Sequence, residues 1–144
     1  MRRSRRLLAG ALLAAAAGGL VAALVLPRTG GAAPKPGLVA SGAFRSVGWG
    51  THGQATIVRE RSGGLVLRFG PRFHTQRAPE LYVYVGRYRS GRGTTGWSRV
   101  AHLQSATGAQ EYGLHAVPPA GSSVMVFCAK CDRIWGAALL TPAS

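Results

Sequence analysis

The sequence predicts an all-β domain, an antiparallel sandwich or barrel of seven or eight short strands, preceded by an N-terminal hydrophobic helix. Three observations predict it. Apolar and polar residues alternate with period two in several short segments, the mark of half-buried strands. Turn-forming Gly, Pro and Ser recur between those segments. After residue 42 no stretch carries a 3.6-residue apolar period with helix caps, which leaves the all-β architectures.

The chain starts with Arg2, Arg3, Arg5 and Arg6, and Leu7 to Leu26 then carries no charge. About 20 apolar residues suffice for a helix to span a bilayer core. Basic residues stay on the cytoplasmic side, so residues 1–26 read as a signal-anchor with the rest of the chain outside the cell. A cleavable signal is the competing reading, with Gly30-Gly31-Ala32-Ala33 as small residues for a peptidase. The protein is thus expected at the cell membrane by one N-terminal helix, or secreted after cleavage. Ser4-Arg5-Arg6-Leu7-Leu8 resembles a twin-arginine export signal and also reads as an ordinary basic leader. Residues 27–41 are rich in Pro, Gly and Ala and read as a linker. Residues 42–144 are then one domain, large enough to bury a core without disulfides.

Within that domain, Ala55 and Ile57, then Leu65, Leu67 and Phe69, mark two strands joined at Ser62-Gly63-Gly64. Leu81, Val83 and Val85 share one face and Tyr82 and Tyr84 the other, as in a strand covered on both sides. Trp97 to Leu103 is a weaker strand, and another surrounds Tyr112 and Leu114. Val124, Val126 and Cys128 face one way, Met125 and Phe127 the other. Ile134 to Leu140 permits a short helix, but a pairing strand fits better directly after a turn.

The only two cysteines, Cys128 and Cys131, end the strongest strand. In extended chain, residues i and i+3 lie about 10 Å apart and point to opposite faces. A disulfide needs Cα atoms within roughly 4.4–6.8 Å, so the pair can bond only if Ala129-Lys130 turns the chain. Three states stay open from the residues: a quiet structural disulfide, a redox-active pair, and unlinked thiols with Cys128 inside and Cys131 outside. So short a loop removes little unfolded-state entropy, which weakens the purely structural role. Lys130 and Arg133 favour thiolates and Asp132 opposes them. An exported setting favours the oxidised pair.

Metal sites find few ligands. His52, His74, His102 and His115 are scattered, without a second cysteine pair for zinc. Blue copper needs two His beside the Cys, with a weak axial Met. Residues 129–140 hold neither, and only Met125 is near in sequence. No cofactor is therefore assigned. The acids are Glu60, Glu80, Glu111 and Asp132, too sparse for paired-carboxylate catalysis, so a stand-alone enzyme is not expected. From Pro34 onward 13 Lys and Arg face 4 Asp and Glu, a balance of +9. The clusters are Arg59/Arg61, Arg68/Arg72/Arg77 and Arg87/Arg89/Arg92. Such a field attracts anionic lipid, wall polymer or an acidic redox partner. No aromatic-interleaved nucleic-acid motif accompanies it, which argues against nucleic acid.

The order of landmarks resembles the electron-transfer domain of Skeletor-type proteins, the "DM thirteen" domain, over about residues 42–140. The segments are Gly42-Ala-Phe44, His52-Gly53-Gln54-Ala55 and Leu65-Val-Leu67-Arg-Phe69. They continue with Ala78-Pro79-Glu80-Leu81-Tyr82-Val83-Tyr84-Val85, Gly108-Ala-Gln110-Glu-Tyr112, Ser123-Val124-Met-Val126-Phe127-Cys128, and a closure from Gly136 to Leu140. The resemblance implies a compact, mostly β domain, secreted or tethered, with a redox role centred on Cys128. Glu80 stands where Asp is expected, and Cys131 is an addition to the pattern that favours a two-thiol switch. The expected function is an exported, membrane-tethered accessory domain that passes electrons through a cysteine to a redox partner protein. The alternative is a non-catalytic module whose arginine surface docks on anionic envelope components.

Overall fold

The computed structural model describes residues 35–89 and 94–144. The expected N-terminal helix at 1–26, most of the 27–41 stretch and Arg92 lie outside the described residues. The strands are β1 (Gly37–Ser46), β2 (Gln54–Arg59), β3 (Leu65–Phe69), β4 (Leu81–Gly86), β5 (Ser98–His102), β6 (Gln110–Leu114), β7 (Ser123–Cys128), β8 (Arg133–Leu139) and β9 (Thr141–Pro142). They form one antiparallel sheet in the order β5-β4-β7-β8-β1-β2-β3-β6, with β9 beside β1. Its two ends, β5 and β6, approach each other, so the sheet is a nearly closed barrel. Between the sandwich and the barrel that the sequence left open, the chain takes the barrel.

Alternation places the core. Ala55 and Ile57 of β2, Leu65, Leu67 and Phe69 of β3, and Leu81, Val83 and Val85 of β4 all point inward and are buried. Val124, Val126 and Cys128 of β7 join them, with Phe44, Phe73 and Tyr112. Phe69 is the hub of the aromatic packing, 4.9 Å from Phe44, 4.6 Å from Phe73 and 5.3 Å from Tyr112 between ring centroids. Such tilted and edge contacts add to the area the rings remove from water. β7 is buried on both faces because Met125 and Phe127 pack outside the barrel with Ile134, under Tyr84 and Trp97.

β1 starts at Gly37, inside the stretch read as linker. Its first half is only weakly apolar, and what holds it is pairing: Gly37–Ala43 on β2, and Ala40–Ser41 also on β9. From Phe44 to Ser46 its other edge passes to β8. Gly42 stands at that change of partner. A Cβ there would meet the carbonyl of Leu139, so only glycine lets the two backbones come this close. This shared strand joins the β2-β3-β6 and β8-β7-β4-β5 parts of the barrel.

The seam between β5 and β6 is pinned at one end. The Gln104 N–H donates to the Tyr112 hydroxyl at 3.0 Å, and Gln104 Nε2 to the Glu111 carbonyl at 2.7 Å. Toward Ser98 on β5 and Leu114 on β6 the seam parts.

Candidate functional site

Cys128 closes β7, where Leu81 of β4 and Arg133 of β8 flank it. Its side chain continues the inward row of Val124 and Val126 and is 0% exposed. The chain then turns through Ala129 and Lys130, and Cys131 sits on the exposed side of that turn. The turn brings the two Cα atoms to 5.2 Å and the two sulfurs to 2.03 Å, bonding distance. The turn that the sequence required is therefore present, and the unlinked arrangement of the two thiols is not the one formed.

The turn is held from several sides. The Ala129 N–H donates to the Glu80 carbonyl at 3.0 Å. Among the described residues Glu80 and Asp132 are the positive-φ residues other than glycine, at 55° and 50°. Left-handed backbone costs an L-residue about 1–2 kcal/mol, least for Asp and Asn. Both strained residues thus flank the disulfide, Asp132 directly after Cys131 and Glu80 across from Ala129. The 76–80 segment is tied down in turn by Trp135, whose Nε1–H donates to the Gln76 carbonyl at 2.9 Å.

The two sulfurs are unlike each other. The Cys131 backbone N–H donates to Cys128 Sγ at 3.1 Å. Cys128 Sγ also lies 3.6 Å from the Pro79 carbonyl oxygen. If the bond opens, the Cys131 N–H favours a Cys128 thiolate, while the Pro79 oxygen accepts from a Cys128 thiol. Either protonation state therefore has a hydrogen-bond partner at a buried position, where an orphaned polar group is costly. Lys130, Asp132 and Arg133 are exposed around the turn, two positive charges to one negative. Of the two residues, Cys131 is thus the one open to solvent and Cys128 the one enclosed.

The remaining candidates distribute differently. Met125 packs with Phe127 and Ile134 on the opposite face of β7 from Cys128, so the two cannot share a ligand. Among the described residues no group of three or more His, Cys, Asp or Glu is gathered closely enough to hold a metal ion. Two of the four histidines are nonetheless neighbours. His52 and His74 exchange both backbone hydrogen bonds, at 2.9 and 3.0 Å, and stack at 5.1 Å. Twenty-two residues apart, they carry no local signal of that pairing. Of the arginine clusters, Arg68 is engaged by Glu111 at 2.7 Å and Glu60 at 3.7 Å. Among the described residues those are the ion pairs formed.

Comparison with protein-family models, with curated proteins and with solved structures finds no match to this chain.

Proposed function

We propose that this protein is an exported redox domain that exchanges electrons with a partner dithiol through Cys128 and Cys131, tethered to the membrane by its N-terminal apolar segment. The observation that carries this reading is the asymmetry of the pair: Cys131, an exposed residue at a turn, is bonded to a fully buried Cys128 whose sulfur has a waiting N–H donor. The resemblance to the Skeletor-type electron-transfer domain supports it on the residues quoted above, with Cys131 as the added second thiol.

The exchange runs as follows. A partner thiolate attacks Cys131 Sγ, a partner–Cys131 disulfide forms, and the Cys128–Cys131 bond breaks with its electron pair on Cys128 Sγ. The Cys131 N–H stabilises that thiolate until it takes up a proton. The partner's second thiolate then attacks its own sulfur in the mixed disulfide and releases the Cys131 thiolate. The partner is oxidised by two electrons and this domain reduced by two. The reverse sequence oxidises the domain.

Cys128→Ala lets the mixed disulfide accumulate, because no internal thiol remains to displace a partner from Cys131 and only the partner's own second thiol can release it, an exit that rapid acid quenching blocks. Non-reducing electrophoresis and mass spectrometry of the full chain from its native compartment test this. A covalent partner on Cys128→Ala that is absent from Cys131→Ser supports the reading, and none on either removes it.

A second reading rests on charge: apart from Arg68, the described arginines have no carboxylate partner. An arginine surface so composed docks on anionic lipid or wall polymer, with binding that weakens steeply between low and physiological salt. Binding to anionic vesicles that ignores salt rules it out.

A further inference from the structure

Where β5 and β6 part, the barrel opens into a cavity of about 690 Å³. Pockets of roughly 300–1,000 Å³ hold small ligands, and an eight-stranded barrel is just wide enough to admit one. The apolar part of its wall comes from Val85, Trp97, Val100, Leu114 and Val117. Val117 is 45% exposed, a large apolar side chain left to solvent at the rim. Arg87, Arg89, Arg99 and His115 also line the cavity, and among the described residues no Asp or Glu does.

The basic groups are placed differently. Arg99 is turned away: its guanidinium lies over the outward-facing Tyr82 ring, 5.1 Å from its centroid and toward the Leu81 end of β4, so the basic groups left at the rim are Arg87, Arg89 and His115. Trp97 Nε1–H donates to the Arg87 carbonyl at 2.9 Å and pins the segment that carries Arg87. Apolar walls with basic side chains and no acid call for a ligand with an apolar body and one anionic end. A guanidinium offers two parallel N–H donors to a carboxylate.

From this charge and apolar complementarity we infer that the seam cavity binds a single-chain amphiphile ending in a carboxylate, a long-chain fatty acid. The chain lies along Val85, Val100 and Leu114, and the carboxylate meets Arg87 and Arg89 at the rim. This site is separate from the disulfide. Gly86 pairs with Ser123 at the cavity end of β4 and β7, and Leu81 with Cys128 at the other, about 17 Å along the strands.

Photoaffinity labelling tests the inference. The full chain is incubated with neutral phosphatidylcholine vesicles and a diazirine-bearing palmitate, illuminated, digested and mapped by mass spectrometry. Saturable labelling is expected on peptides spanning residues 94–103 and 113–122. Palmitate should compete with it, and cetyl alcohol, the same chain without the charge, should compete far less. Arg87→Ala with Arg89→Ala should lower labelling roughly tenfold through loss of charge-assisted hydrogen bonds, whereas Arg99→Ala should leave it unchanged. Leu114→Trp fills the cavity and should abolish labelling. Ser98→Trp blocks the mouth and serves the same purpose, with thermal melting confirming that each variant folds. Labels confined to residues 1–34 or scattered over the surface would overturn the inference. So would equal competition by cetyl alcohol, or wild-type labelling of a folded blocking variant.

Discussion

The Cys131 backbone N–H donates to the sulfur of Cys128 at 3.1 Å, across the very disulfide that joins the two residues. The bonded pair is therefore built with a donor already aimed at its buried member. A staple has no need of such a donor, because a disulfide sulfur is a weak acceptor. A thiolate released at a position with 0% exposure depends on one.

The asymmetry predicts opposite reactivities for the two single-cysteine variants. Cys128→Ala leaves an exposed Cys131 that takes up glutathione from glutathione disulfide. Cys131→Ser leaves Cys128 in the core, unmodified until the protein unfolds. Intact-mass spectrometry under native and denaturing conditions reads both. Loss of a bridge across so short a loop lowers stability by about 2 kcal/mol in the chain-entropy view, which urea denaturation of Cys131→Ser measures.

Gly136 predicts a packing limit close by. A Cβ on it would lie 2.5 Å from both Cβ and Cγ2 of Thr51. Thr51 is buried and cannot give way, since its hydroxyl donates to the Trp49 carbonyl at 3.2 Å and shares a 2.7 Å hydrogen bond with Thr75. Gly136→Ala should cost about 1–3 kcal/mol, the usual range for overpacking. Gly113 on β6 has nothing within 4 Å of such a Cβ, so Gly113→Ala should be neutral or slightly stabilising. Paired thermal melts of the two variants check the contrast.

Tyr112 predicts an alkaline limit. Burial raises its phenol above the ordinary value of 10.0, against the lowering effect of the Gln104 N–H. Its hydroxyl donates to Gln110 Oε1, and deprotonation would set a phenolate against that oxygen. With the folded-state value above the unfolded one, the folded state holds its proton more tightly. Its contribution is full below the unfolded value near 10 and is lost as pH rises through the folded one. Wild-type stability should fall over that alkaline window, and Tyr112→Phe should flatten the fall. Denaturation between pH 8 and roughly 11.5 measures both.

The strands were legible where one face is buried. Leu65, Leu67 and Phe69 are inward and buried while Val66 and Arg68 are half-buried, the alternation their order spells out. Cover on both faces was read for β4, where Tyr82 and Tyr84 are only half-buried, while β7, read only as two opposite faces, is the strand buried on both. The start of β1 at Gly37 was not legible, because its stability comes from partners β2 and β9 far along the chain and not from its own apolar pattern. Closure was hidden for the same reason, since it depends on β1 changing partners at Gly42. At the candidate site, the need for a turn between the cysteines followed from strand geometry alone. The donor from Cys131 to Cys128 did not, because a backbone N–H has no sequence signature. The cavity was also invisible: Arg87 and Arg89 stood out as a cluster, but only the parting of β5 from β6 joins them to Val100 and Leu114.

The central claim is that the Cys128–Cys131 bond opens and closes in the folded protein. Thiol trapping and mass spectrometry of the full chain, equilibrated in buffers of graded glutathione or dithiothreitol potential, test it most directly. The account predicts a reversible two-electron transition with a midpoint less negative than about −300 mV, the region below which structural disulfides resist reduction. Circular dichroism should show the barrel intact on both sides of that midpoint. A pair that stays oxidised through this range, and is reduced only as the barrel unfolds, would contradict the account.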